Sequence, residues 1–341
     1  SNDTVTASPK GTLRGNAGNA KGISAKESGY SASAAGPAVV ANSPVQNFPV
    51  TLFGYFGGGG SPSNVSTVDR INYVNDTTTA SVRGPLSLAR RALAATGNSS
   101  YGYFGGGGFP PIFSTVDRID YSNDIATAAS KGPLSAARYS LAATGNASYG
   151  YFGGGRTPTV ISSIDRIDYS NDTSTASPKG PLSLARYGLA ATGNADFGYF
   201  GGGSGTVSTV DRIDYANDTG TTPTKGPLST VRYALAATGN ASYGYFGGGG
   251  TPSKSTVDRI DYSNDTATAS PKGPLSVGKY LLTATGNSSF GYFGGGFSPI
   301  FSTVDRIDYS NDTATASVRG SLSVAKFYLA ATSAAANGLP Q

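Results

Sequence analysis

The chain has 341 residues, a formal charge of +5, and no Cys, His, Met or Trp. Those absences exclude disulfides, thiolate and imidazole catalysis, the serine triad, and any metal held by Cys or His. Hydrophobic residues at 38% are enough for a core, and charged residues at 13% are too few for a charge-driven disordered chain.

A chain without Cys depends on no redox compartment, which suits work outside cells. With no Met it reads as a processed product or as the ordered part of something longer. No apolar run reaches the roughly 18 residues of a membrane-spanning helix, and no signal peptide is visible at the start.

In chain order, residues Ser1 to Gly11 (SNDTVTASPKG) match Ser263 to Gly273 almost residue for residue, and Lys21 to Gly36 weakly echoes a later segment. The first stretch therefore reads as part of a repeating unit. Residues Gly36 to Phe53 are extended, apolar and interrupted by Pro. They read as an arm that lies either along a neighbouring copy or around its own fold.

From Phe53 to Thr332 one unit recurs six times. Gly-Tyr-Phe begins at Gly54, Gly102, Gly150, Gly198, Gly244 and Gly291, at intervals of 48, 48, 48, 46 and 47 residues. The segment V/I-D-R-I-D/N-Y recurs with its first Asp at Asp69, Asp117, Asp165, Asp211, Asp258 and Asp305. In the unit that starts at Gly244, Tyr245-Phe246 predicts a short aromatic strand running into glycines. Thr256 to Tyr262 alternates, with Val257, Arg259 and Asp261 on one side and Asp258, Ile260 and Tyr262 on the other. That is a period-2 strand signal. Ser263-Asn264-Asp265 predicts a turn, Thr266 to Ser270 a polar edge strand, Pro271 to Pro274 a loop, and Lys279 to Thr285 a further strand. Gly286-Asn287 then turns into the next unit.

Four short strands in about 47 residues, joined by Gly, Pro and Asn turns, fit a propeller blade. The expected fold is all-β: a β-propeller of four-stranded blades. Seven blades is the preferred count, with the N-terminal fragment as a partial blade; six blades plus an arm is the alternative. The expected division is 1–52 for the partial blade and arm, 53–332 for the repeats and 333–341 for a tail.

Tyr103-Phe104-Gly105-Gly106, then Val116 to Tyr121, then Pro133-Leu134 with Arg138, stand in an order that resembles the kelch family. The resemblance covers roughly residues 53–332 and departs from the family in lacking its usual Trp. It implies a closed propeller but settles no activity. Near-identical units of this kind are also similar to those of phage tail-fibre and environmental surface proteins.

A typical unit is neutral, with three Asp balanced by three basic residues. The surplus charge comes from the N-terminal region and from Arg91, Arg156 and Lys254, with Asn72 in an Asp slot; Asp196 offsets one. So dispersed a charge is a poor counterion-release device, so no nucleic-acid partner is expected. The Asp and Arg of DRID read as ties between blades, with ligand binding the alternative. Tyr55, Tyr103, Tyr151, Tyr199, Tyr245 and Tyr292 are candidates for stacking on a sugar, or for packing between blades. Asn-x-Ser/Thr sequons make Asn75, Asn146, Asn171, Asn217, Asn240, Asn264, Asn287 and Asn311 candidate glycosylation sites, with Asn2, Asn64 and Asn98 further matches. Their Asn-Asp-Thr and Asn-Ala-Ser forms are also turns.

Near-identity of the units leaves no distinct acid–base pair. Asp196 with Asp214 is the one unusual combination. The glycine runs lack a following Lys-Ser/Thr, and no Ca²⁺ loop pattern is present. No catalytic residue, metal or cofactor is expected. The expected role is a non-enzymatic structural or attachment propeller at an extracellular filament or virion surface, with other copies of itself or other surface proteins as partners. A glycan-binding module is the second reading, and a polysaccharide-active enzyme the third.

Overall fold

The computed structural model describes residues 53–205, 207–250 and 252–333. They form a β-propeller of six four-stranded antiparallel blades. Blade 5 shows the plan. Its inner strand is Ala236–Gly239, its second Tyr243–Gly247, its third Val257–Asp261 and its outer strand Ser270–Lys272. The second and third strands pair Tyr245 with Arg259 and Phe246 with Asp258.

Two elements differ from the sequence reading. The outer strand begins at Ser270, where the expected strand ended, and it includes Pro271. An edge position tolerates a residue with no N–H to donate. The inner strand of blade 6 begins at Thr283 rather than Lys279. Leu281 takes φ +57°, which breaks the extended run, and the Lys279 side chain is wholly buried on Asp305.

The preference for seven blades is overturned. Blade 1 takes its second, third and outer strands from Phe53–Gly57, Val68–Asn72 and Ser81–Arg83, and its inner strand from Ala330–Thr332. Tyr55 pairs with Thr332 and Gly57 with Ala330. The last strand of the sixth repeat thus completes the first blade, and the ring closes with no place for another sheet. The partial-blade and arm readings for residues 1–52 fall outside the described residues, as does the tail beyond Ser333.

The G-Y-F-G strand explains how blades sit so close. A Cβ added at Gly105 would lie 2.7 Å from a ring carbon of Phe152 in the next blade. Glycine therefore makes the hollow that the neighbour's phenyl ring fills. Around each ring gathers a cluster from two blades, such as Ala94, Tyr103 and Val116 with Leu141, Phe152 and Ile167. Burying one such side chain contributes roughly 1.5–3 kcal/mol. Near the axis the strands converge, and there the side chains shrink to Ala.

Charged ties run around the ring as well. Asp124 in blade 2 accepts from the Tyr55 hydroxyl at 2.9 Å and from Arg70 Nη1 at 2.8 Å, both in blade 1. The same contact recurs at every junction and ends with Tyr292 and Arg306 of blade 6 on Asp76 of blade 1. A second buried pair, such as Arg90 with Asp117 at 2.9 Å, anchors the linker entering each blade. Among the described residues no helix is long and apolar enough to cross a membrane.

Candidate functional site at the channel mouth

Antiparallel order places the loops between second and third strands, and the linkers into the inner strands, at one end of the propeller. The short turns between inner and second strands, and between third and outer strands, fall at the other end. The two ends differ in sequence. The far end repeats Gly-Asn-x-x and Ser-Asn-Asp-Thr with little change. The mouth end carries loops as unlike as Phe109-Pro110-Pro111-Ile112-Phe113, Arg156-Thr157-Pro158-Thr159-Val160 and Ser204-Gly205.

At the centre of the mouth lies a closed main-chain circuit. The Ala92 N–H donates to the Tyr328 carbonyl, Ser140 to Ala92, Gly188 to Ser140, Ala234 to Gly188, Leu281 to Ala234, and Tyr328 to Leu281, at 2.6 to 2.8 Å. Each of these residues has φ between +52° and +65°. Only one is Gly, so the other five adopt a left-handed backbone at a cost of roughly 1–2 kcal/mol each. Below the circuit Leu93, Leu141, Leu189, Leu235, Leu282 and Leu329 ring the channel, followed by alanines. The axial cavity holds about 100 Å³.

Outside the circuit stand Arg91, Tyr139, Tyr187, Tyr233, Tyr280 and Phe327, one per linker and all half-buried. Their main chains bond to the variable loops: Phe297 N–H donates to the Tyr280 carbonyl at 2.7 Å, and Tyr139 exchanges two bonds with Arg156. On blades 6, 1, 2 and 3 the rings meet. Tyr280 and Phe297 have centroids 5.6 Å apart, Phe297 and Phe327 5.1 Å, and Phe109 and Tyr139 4.8 Å. The Arg91 guanidinium bridges the arc, 4.6 Å from the centre of the Phe109 ring and 5.9 Å from that of Phe327. Tyr328 lies 5.5 Å from Phe109, and burial raises its hydroxyl above the usual range.

The residues named from sequence are placed elsewhere. Tyr55, Tyr103, Tyr151, Tyr199, Tyr245 and Tyr292 are at most 2% exposed. Each stacks on a tyrosine of the next blade, as Tyr103 does on Tyr169 with centroids 4.7 Å apart. Burial, followed by the adjacent Asp, pushes the Tyr55, Tyr151, Tyr199 and Tyr245 hydroxyls well above their ordinary range. These rings serve the blade junctions, the second role that the sequence offered. Asn75, Asn146, Asn171, Asn217, Asn240, Asn264, Asn287 and Asn311 all lie in the far-end turns. Asn146, Asn240 and Asn287 hold those turns by accepting main-chain N–H bonds at 2.8 to 2.9 Å. Asp196 is also there, and Asp214 accepts from the Ala216 N–H.

The first Asp and the Arg of each DRID are consumed by the ties described above, and the second Asp accepts from the main chain two residues on, as Asp120 does from the Ser122 N–H. Among the described residues no cluster of three or more acidic side chains suits a metal. In the sequence the mouth residues are masked by the sameness of the repeats around them. The units differ from one another chiefly in the post-glycine loops and in the residue pair before Leu-Ala-Ala-Thr.

The chain matches no known protein-family model. No curated protein matches it either.

Proposed function

We propose that this chain is a non-enzymatic attachment propeller that presents its mouth end to a partner at an extracellular or virion surface. One observation carries the reading. Six nearly interchangeable units share their core, ties and far-end turns, yet differ where the loops and linkers surround the channel. Selection for packing alone has no reason to treat the two ends differently, whereas loops on a rigid scaffold are where binding residues gather. The order of glycine doublet, Tyr strand and Pro/Arg linker supports a kelch-like propeller of the tail-fibre or surface-protein kind. The commitment of the DRID carboxylates to structural bonds supports a role without catalysis.

A loop exchange tests this. The other five mouth loops are replaced by the short Ser204-Gly205-Thr206-Val207 type of blade 4, and in a matched variant the far-end Asn-x-x turns are replaced by Asn-Gly. Labelled protein is then measured for retention on bacterial envelopes, animal cells and insoluble polysaccharides. The mouth variant is expected to lose retention while keeping its melting temperature, and the far-end variant to keep both. Equal retention by the two variants sinks the reading.

A further inference from the structure

We infer that the aromatic arc at the mouth binds an acidic polysaccharide, with Arg91 gripping a carboxylate of the chain. This rests on the attachment reading above and names the ligand class of that same face.

The first support is charge. Every lysine and arginine among the described residues pairs with an aspartate except Arg91, Arg156 and Lys254. All three lie at the mouth end, in its loops or linkers. The aspartates nearest that end, such as Asp117 and Asp165, are buried and already occupied by Arg90 and Arg138. Among the described residues the mouth therefore carries positive charge with no free carboxylate to answer it.

The second support is the setting of Arg91. The other five linkers carry Tyr or Phe at this position. Arg91 lies against Phe109, with Phe327 beyond it, and its Nε is buried without a hydrogen-bond partner. A guanidinium packed on rings keeps its shape and leaves in-plane N–H groups for a fork-like bond to a carboxylate.

The third support is the path. The rings run from Tyr280 through Phe297, Phe327, Tyr328 and Phe109 to Tyr139, across four blades. Such a track suits an extended polymer with repeated flat apolar faces better than a compact ligand. Sugar rings offer such faces on their C–H sides, and uronate or sialate units add the carboxylates. A nucleic acid would need more cations than three scattered ones.

The full chain is titrated calorimetrically at low salt with polygalacturonate and with polysialic acid. Carboxyl-reduced polygalacturonate, poly-glutamate and a single-stranded oligonucleotide run in parallel. At least one acidic glycan is expected to bind, and salt is expected to weaken it. For polygalacturonate, carboxyl reduction should cost about tenfold or more, as should Arg91→Ala, with Arg91→Lys recovering part of the loss. Phe109→Ala should weaken binding, whereas far-end Asp196→Asn should leave it unchanged. Circular dichroism and melting confirm that each variant folds. The inference is overturned by tighter binding of poly-glutamate or the oligonucleotide, by equal binding of the reduced polymer, by an unaffected Arg91→Ala, or by failure of both acidic glycans. If the glycan arms fail while the loop exchange still abolishes retention, the attachment reading stands and only the ligand class falls.

Discussion

At the scale of single residues, the left-handed circuit separates backbone demand from side-chain identity. The six positions share one backbone shape but carry Ala, Ser, Gly, Ala, Leu and Tyr. Ala234→Gly, which removes a strained Cβ at φ +55°, is expected to stabilise the fold by up to about 1 kcal/mol. Gly188→Ala should do the reverse by a similar amount, since its Cβ would lie 3.3 Å from the Ala234 nitrogen. Urea denaturation midpoints of the two variants check both signs, and a loss in the first or a gain in the second contradicts the strain argument. Nothing in the sequence announces this strain. Leu281 sits in a β-rich run, and only the structure shows that its N–H reaches the neighbouring blade rather than its own strand.

At the scale of elements, the junctions are alike but not equal. Ser87, Ser135, Ser183, Ser229 and Ser276 each donate a hydroxyl to the buried Asp of the blade that follows, at 2.6 to 2.7 Å. At the closure the matching Ser323 hydroxyl has no partner. Lys326 stands there in place of Arg, 2.9 Å from Asp69, and burial lowers its pKa against the pull of that carboxylate. The closing strand, Ala330–Thr332, is also a residue shorter than the other inner strands. Lys326→Arg is expected to raise stability by about 1 kcal/mol by restoring a two-pronged contact of the Arg90 kind. In the native chain the amides of Ala330–Thr332 should exchange with deuterium before those of Ala190–Gly193. Simultaneous exchange of the two strands contradicts a weak closure.

Much at this scale was legible beforehand. The alternation in TVDRIDY and the spacing of Gly-Tyr-Phe led to the correct second and third strands, and to four strands per blade. The blade count is not legible there: Ser1 to Gly11 is blade-like in sequence, whereas closure depends on which strand pairs with Tyr55. That is a long-range contact with no local signature. The place of the tyrosines has no local signature either. Tyr55 and its counterparts look like sugar platforms until their burial is known, while Arg91 stands out only as an exception to the pattern.

At the scale of the whole molecule, composition limits how the protein answers pH. It has no His, and its only Glu is Glu27. Hydrogen bonds from the serine two positions on hold Asp168, Asp261 and Asp308 below the ordinary range against weak desolvation. Burial pushes Asp265 up, but Lys225, the Tyr199 hydroxyl and Arg212 outweigh it and leave it low. Carboxylates held low in the folded state stabilise it fully above their unfolded pKa of about 3.9, and that contribution fades as pH falls through the folded values. The denaturation midpoint is therefore expected to stay level from about pH 8 to pH 5 and to drop below about pH 4. Asp261→Asn combined with Asp308→Asn should make the acid drop shallower, and an unchanged slope contradicts the assignment.

The main-chain circuit around the mouth also acts as a gauge of copy number. Consider a chain with one cassette more or fewer. The circuit has no loose end: each peptide group is both giver and receiver, and the sixth hands back to the first. A five-cassette product would have to tighten this loop and a seven-cassette one to widen it, in a backbone already held to a narrow range of angles. Length variants of this gene should thus be sorted at folding, before any ligand is met.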